Sequence, residues 1–364
     1  MQDKNSANII KIVTEDFEAV TVMMSTPVET VKSILGRLGV EYEQGLPKEV
    51  YITALKEEFC SDPKWILMML PAVVLDFLME VWENDTVEMD EERWNYIEYL
   101  KVFGLLNYRR KYAVAGTEDE IIVVPAMKEQ FYFLLKSRKS QKLIATYEEW
   151  DKYLTGLMYY YGLIELTDLF VIFQKTIKKM ISFEEFLIFL KCRCSLWSFG
   201  VILKDISGDR QYFQCMTVEN PDLLLTFLRE HPGLFYKEPS PEDLIYISES
   251  AGIDNRWPGV SELGTLFVEK LGLNYYRATV AVKTLIIMVQ NGCSFEKLRD
   301  EVTVIVADPE EWEKEVTGAV RDLYENVPIF EYKGHSRKEY RKLFHERQLR
   351  KRKERFTIIE GGRH

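Results

Sequence analysis

Apolar positions recur along this chain at the three- and four-residue spacing of helices far more often than they alternate. Val31, Ile34, Leu35 and Leu38 form one such stripe, Trp94, Ile97, Leu100 and Phe103 a second, and Tyr153, Leu154, Leu157 and Tyr161 a third. The pattern predicts helices over 28–38, 48–60, 62–83 with a break at Pro71, 94–103, 150–161, 166–180 and 183–192. It predicts six more over 221–229, 241–250, 261–271, 275–290, 295–302 and 309–324. Punctuation agrees with periodicity. Five prolines directly follow a residue that caps helices: Thr26-Pro27, Asp62-Pro63, Asn220-Pro221, Ser240-Pro241 and Asp308-Pro309. A capping oxygen accepts from an orphaned backbone N–H, and proline at the first helical position gives up an N–H that has no partner there. Several starts add a carboxylate three residues on: Glu29, Asp243, Glu311, Glu185 after Ser182, and Glu339 after Ser336.

Two pairs of β-like runs interrupt the helices. Tyr108 to Ala113 and Ile121 to Val124 flank the turn residues Ala115 to Asp119. Val201 to Lys204 and Tyr212 to Met216 flank Ser207-Gly208-Asp209. A Trp-led helix precedes each pair, the first ending in Gly104-Leu105-Leu106 and the second in Gly162-Leu163-Ile164. A helix followed by a basic hairpin resembles a winged-helix unit. The expected fold class is therefore mainly α: a multi-domain helical chain with one or two winged-helix-like modules containing short β-hairpins. Its expected segments are a helical region over 1–83, a winged-helix-like module over 84–146, a second helix-plus-hairpin module over 147–220, a helical region over 221–330 and a basic tail over 331–364.

Two short stretches carry further resemblances. Val31, Ile34, Leu35, Leu38-Gly39-Val40, Gly45, Lys48, Ile52 and Leu55 lay out a helix-extended-helix unit that resembles SAP and Rho amino-terminal-like modules. In those families the unit often contacts nucleic acid, although residues 26–60 here hold four basic side chains against six acidic ones. Asn326, Gly334-His335-Ser336 and Glu339, with the helix from Pro309 to Tyr324, resemble a region near the carboxyl end of multi-module proteins of Firmicutes-type bacteria whose function is unassigned. Many of those continue into a SEC-C zinc motif. This chain holds no cysteine after Ser336, so that zinc site does not carry over.

At 364 residues, 47% of them hydrophobic, the chain has material for two or three packed domains. Its longest apolar run, Trp65 to Leu75, contains Pro71 and is well short of the roughly 20 residues a membrane span requires. No secretory leader is visible at the amino end. Five cysteines, an odd number, suit reduced thiols; the expected location is cytoplasmic, with no membrane partner. The net charge of −11 is uneven. Tyr332 to Arg355 holds eleven Lys and Arg against three Glu, and Lys101 to Lys142 holds nine against four acidic residues. An acidic body with two basic districts meets an anionic partner locally, if at all.

Acid–base or nucleophilic chemistry has little to work with. Four histidines (His231, His335, His345, His364) show no triad or metal spacing. Cys192 and Cys194 are the only close cysteine pair and lack a second pair for zinc, so they read as small buried thiols. Asp308, Glu310 and Glu311 suit a helix start, and Asp85 to Glu92 reads as a solvated linker. No cofactor is expected. The basic districts remain: Arg109, Arg110 and Lys111 at the start of the first hairpin, Lys136, Arg138, Lys139 and Lys142 after it, and Arg350, Lys351, Arg352, Lys353 and Arg355 in the tail. On a winged-helix scaffold such side chains contact phosphates, which position a protein without reading sequence. The expected function is thus a non-enzymatic factor binding DNA or RNA, with a protein-interaction scaffold as the alternative. An enzyme with a carboxylate site is the third reading, to be recognised by carboxylates converging on a concave pocket with perturbed pKa values.

Overall fold

The computed structural model describes residues 8–62, 64–113, 116–196, 200–204, 209–305 and 309–346. In chain order the elements are β1 (Asn8–Thr14), α1 (Ala19–Met23), α2 (Val28–Leu38), α3 (Lys48–Ser61), α4 (Lys64–Met69), α5 (Ala72–Glu83), β2 (Thr86–Met89), α6 (Glu91–Val102), β3 (Leu106–Ala113), β4 (Gly116–Val123), α7 (Pro125–Lys136) and α8 (Arg138–Tyr161). There follow β5 (Leu163–Glu165), α9 (Leu166–Ile177), α10 (Phe183–Leu196), β6 (Gly200–Lys204), β7 (Gln211–Cys215), α11 (Pro221–Glu230), α12 (Pro241–Glu249), α13 (Val260–Glu269), α14 (Tyr275–Gln290), α15 (Phe295–Ile305) and α16 (Pro309–Asn326). The protein is mainly helical, with two small sheets.

The capping side chains act where the sequence places them at several starts. Asn220 accepts from the Leu223 N–H at 3.0 Å, Ser240 from Asp243 at 3.1 Å and Ser182 from Glu185 at 3.0 Å. Ser336 and Glu339 close a capping box: the Ser336 N–H donates to the Glu339 carboxylate at 2.9 Å, and the Glu339 N–H donates to the Ser336 hydroxyl at 3.3 Å. Pro71 separates α4 from α5. The start at Thr26-Pro27 differs, because Pro27 itself takes the cap position and no side chain caps α2. Asp308 lies outside the described residues.

The chain forms two compact units, residues 1–150 with 181–198, and residues 151–180 with 199–364. In the first, a four-stranded sheet has the order β2-β1-β4-β3, with β1 antiparallel to β2 and parallel to β4. The hairpin expected as a wing is therefore paired on both edges of β4. β2 runs through what reads as a solvated linker; Val87 and Met89 point inward while Thr86 and Glu88 face solvent. Helices α2, α3, α4 and α10 pack together, while α6 packs on β3 and α5 meets β2. The buried Phe59 ring stacks on Phe103 at 4.5 Å and tilts against Phe131 at 5.5 Å. α8 starts at Arg138, capped by Ser137, whose hydroxyl accepts from the Ser140 N–H at 3.1 Å, well before the predicted start at Trp150.

In the second unit, β5-β7-β6 form an antiparallel sheet. Gly162, at φ +63°, turns the chain from α8 into β5, and a Cβ there would meet the Phe330 ring at 2.5 Å. Leu163 to Glu165 thus form a strand where the sequence suggests a helix end. After α16 the chain makes a tight reversal closed by a bridge between Pro328 and Ser336. The Phe330 N–H donates to the Gln290 carbonyl at 3.0 Å, the Lys333 N–H to the Phe330 carbonyl at 3.0 Å, and the Lys237 N–H to the Lys333 carbonyl at 3.0 Å. These bonds hold Lys333 at φ +53°, in the left-handed region that side-chain-bearing residues rarely enter.

Candidate functional site

The first basic district is largely neutralised where it lies. Antiparallel register sets Arg109 opposite Glu120 and Arg110 opposite Asp119, where opposite charges across the ladder attract, and sets the Lys111 backbone opposite that of Glu118; the Lys111 side chain lies outside what is described. Arg109 donates to Glu120 at 2.7 and 3.0 Å and also binds Glu15. Glu15 and Glu120 hold its guanidinium still more firmly protonated. Arg110 donates to Asp119 at 3.0 Å. The signal was present in the sequence: Arg109-Arg110-Lys111 and Glu118-Asp119-Glu120 are complementary runs within one hairpin. Lys136 lies on α7 and pairs with Glu83 at 2.6 Å, which keeps the Glu83 carboxyl below its usual range.

Arg138, Lys139 and Lys142 fall together on the first turns of α8, exposed, and none forms an ion pair among the described residues. No acidic residue occupies that first turn, where a helix dipole favours negative charge. Arg350, Lys351, Arg352, Lys353 and Arg355 lie outside the described residues. Burial pushes the Cys192 and Cys194 thiols up to about 12, so neither is poised as a nucleophile or ligand.

Convergent chemistry occurs instead in the second unit, in an open cleft of about 520 Å³ built by several segments. Glu165 ends β5, Asp168 sits in the first turn of α9, Arg210 and Tyr212 come from β7 and its approach, Leu228 and Arg229 from α11, and Tyr236 and Lys333 from loops. The floor is buried: Lys333 is 8% exposed and Tyr212 6%. Asp168, Arg210 and Arg229 stand at the exposed mouth. Glu165 is engaged, accepting from Arg210 at 3.3 Å and from the Thr167 hydroxyl at 3.0 Å.

Lys333 and Asp168 are not so matched. The Lys333 ammonium lies 4.7 Å from the Tyr236 ring centre and forms no ion pair among the described residues. Burial holds its pKa below the ordinary lysine value, only partly offset by the field of Asp168. The Asp168 carboxyl, partly desolvated where it meets the cleft, is held above its ordinary value by that desolvation, then by Glu165, against the attraction of Lys333 and Arg210. Burial also pushes the Tyr236 phenol up. Titratable groups displaced toward one another in a cleft are a physical signature of a functional site. A second cavity of about 490 Å³, between α13 and α14, is lined mainly by apolar groups such as Val260, Val268, Ala278 and Val282. Glu269 is its single charged lining residue, and it holds no comparable cluster.

Sequence reasoning missed this cleft because its charged residues are scattered between positions 165 and 333, with no spacing that marks them. Among the described residues no group of His, Cys, Asp and Glu is placed to hold a metal ion, and no helix is long and apolar enough to cross a membrane. Comparison with known protein families, with curated proteins and with solved structures returns no match.

Proposed function

We propose that this chain is a cytoplasmic binding protein whose second unit takes up a small charged molecule in the cleft floored by Lys333. The observation that carries the reading is Lys333 itself: a side chain buried along its stem and held at a left-handed backbone position, its ammonium lining the cavity beside the Tyr236 ring with no carboxylate in ion-pair range among the described residues. A charge drawn partly out of water with no ion-pair partner costs free energy, and such groups persist where something else uses them. Apolar walls from Leu225, Leu228 and Pro232 provide area, and a few polar groups at the mouth provide orientation. The test is a thermal-shift screen of small carboxylates, amines, amino acids and inorganic phosphate on the full chain and on Lys333→Met. Compounds that raise the melting temperature of the former and not of the latter support the reading; a screen in which none does so overturns it.

A second reading retains nucleic acid as partner, narrowed to Arg138, Lys139 and Lys142. Their exposure together at the start of α8, without carboxylate partners among the described residues, supports it. Arg109, Arg110 and Lys136 do not enter this version, since each has a carboxylate in hand. Phosphate contacts of this kind reveal themselves by affinity that falls steeply with salt.

A further inference from the structure

We infer that the ligand of the Lys333 cleft is a zwitterion, an α-amino acid with an apolar side chain, its carboxylate on Lys333 and its ammonium on Asp168. The inference rests on the binding reading above and names the ligand class. The cleft presents one cation, Lys333, and one anion, Asp168, that have no ion-pair partner among the described residues. Glu165 already has Arg210 and the Thr167 hydroxyl. Lys333 and Asp168 each line the cavity, and neither forms an ion pair or side-chain hydrogen bond among the described residues. Their separation exceeds ion-pair range, yet each lies in the other's field.

A simple anion would reach Lys333 while entering the field of Asp168 and Glu165. A simple cation would be drawn to Asp168 while meeting Lys333, Arg210 and Arg229. A neutral molecule would leave both charges unsatisfied. A molecule with adjacent opposite charges answers both, as charge-assisted hydrogen bonds are the strong ones. One patch of the remaining wall, Leu225, Leu228 and Pro232, is apolar and would receive the apolar side chain.

The test is calorimetric titration of the full chain with L-leucine and L-phenylalanine, with their deaminated carboxylates, with their decarboxylated amines, and with inorganic phosphate. Saturable 1:1 binding of an amino acid is expected, with its carboxylate and amine counterparts weaker by about tenfold or more, the fold-change for losing one charged hydrogen bond. Asp168→Asn, at the exposed mouth, and Lys333→Met weaken the amino acid by a similar factor, with circular dichroism confirming that each variant is folded. A carboxylate or phosphate that binds as tightly as the amino acid overturns the zwitterion and leaves the binding reading standing. Amino-acid affinity unchanged in Asp168→Asn overturns the placement of the ammonium. Failure of every probe overturns the inference and the binding reading together.

Discussion

Arg109 and Glu120 face one another across the β3–β4 ladder, and the guanidinium of the first donates twice to the carboxylate of the second. Glu120 is 4% exposed, so its charge is tolerated chiefly because Arg109 is there. Removing the arginine is therefore more harmful than neutralising the carboxylate. Arg109→Met lowers the melting temperature, and Glu120→Gln lowers it less. Differential scanning calorimetry on both variants checks the order; equal or reversed losses would show that the pair is not what holds β3 to β4.

The same pairing separates the basic residues by role. If the start of α8 contacts phosphates, replacing Arg138, Lys139 and Lys142 with Gln reduces the log–log salt slope of duplex binding by about 2 to 3, near 0.9 per lost contact. Replacing Arg109, Arg110 and Lys136 leaves the slope unchanged, because Glu15, Glu120, Asp119 and Glu83 already neutralise them. Anisotropy titrations of labelled duplex at three salt concentrations read the slope directly. A slope that responds to the second set and not to the first would restore the hairpin as the contact surface.

Helices were legible in this sequence because their signals are local. Ser240, Asn220 and Ser182 lie within three residues of the N–H groups they cap. The β3–β4 and β6–β7 hairpins were legible too, but the strands that complete the two sheets, β1, β2 and β5, were not, because their partners are distant. Ile12 in β1 aligns with Ile121, and the Val87 and Met89 alternation in β2 is diluted by the acidic residues around it. Division into two units was hidden for a related reason: residues 181–198 return to the first unit after 151–180 have joined the second, which no linear boundary expresses. The cleft combines both difficulties, since Lys333 gains its significance from burial beside Tyr236 and Asp168, and a lone lysine in a basic stretch carries no mark of that.

Gly259 and Gly264 make opposed predictions from one helix. Gly259 precedes α13 at φ +88°, and a Cβ there would meet the Leu323 nitrogen at 2.5 Å and crowd the Ala319 carbonyl. Both the backbone conformation and the space forbid a side chain, so Gly259→Ala costs roughly 2–4 kcal/mol. Gly264 lies inside α13, and a Cβ added there would find nothing within 4 Å. Gly264→Ala therefore stabilises by about 0.5–1 kcal/mol through helix propensity. Urea unfolding midpoints distinguish the two; a stabilised Gly259→Ala would mean that α13 and α16 are not packed as described.

The directions in which the Asp168 and Lys333 pKa values are displaced predict that each charge costs stability at neutral pH, and that cost is a testable sign of function. The Asp168 carboxyl has a raised pKa in the folded state even with the attraction of Lys333 included, so the folded state binds its proton more tightly than the unfolded chain does. Stability from this group is greatest below the unfolded value near 3.9 and falls as pH rises through the folded value. Asp168→Asn consequently melts higher than the parent at pH 7, and the advantage vanishes below about pH 4. Lys333 has a lowered pKa, so its deficit is present at neutral pH and closes as pH rises through the folded value toward about 10.4. Lys333→Met, which keeps the apolar stem, is likewise more stable at pH 7. Melting curves across pH 3 to 10 on both variants check the signs. Two substitutions that raise the melting temperature while weakening the ligand place these charges among groups kept for binding rather than for folding; two that lower it would make the pair an ordinary structural one.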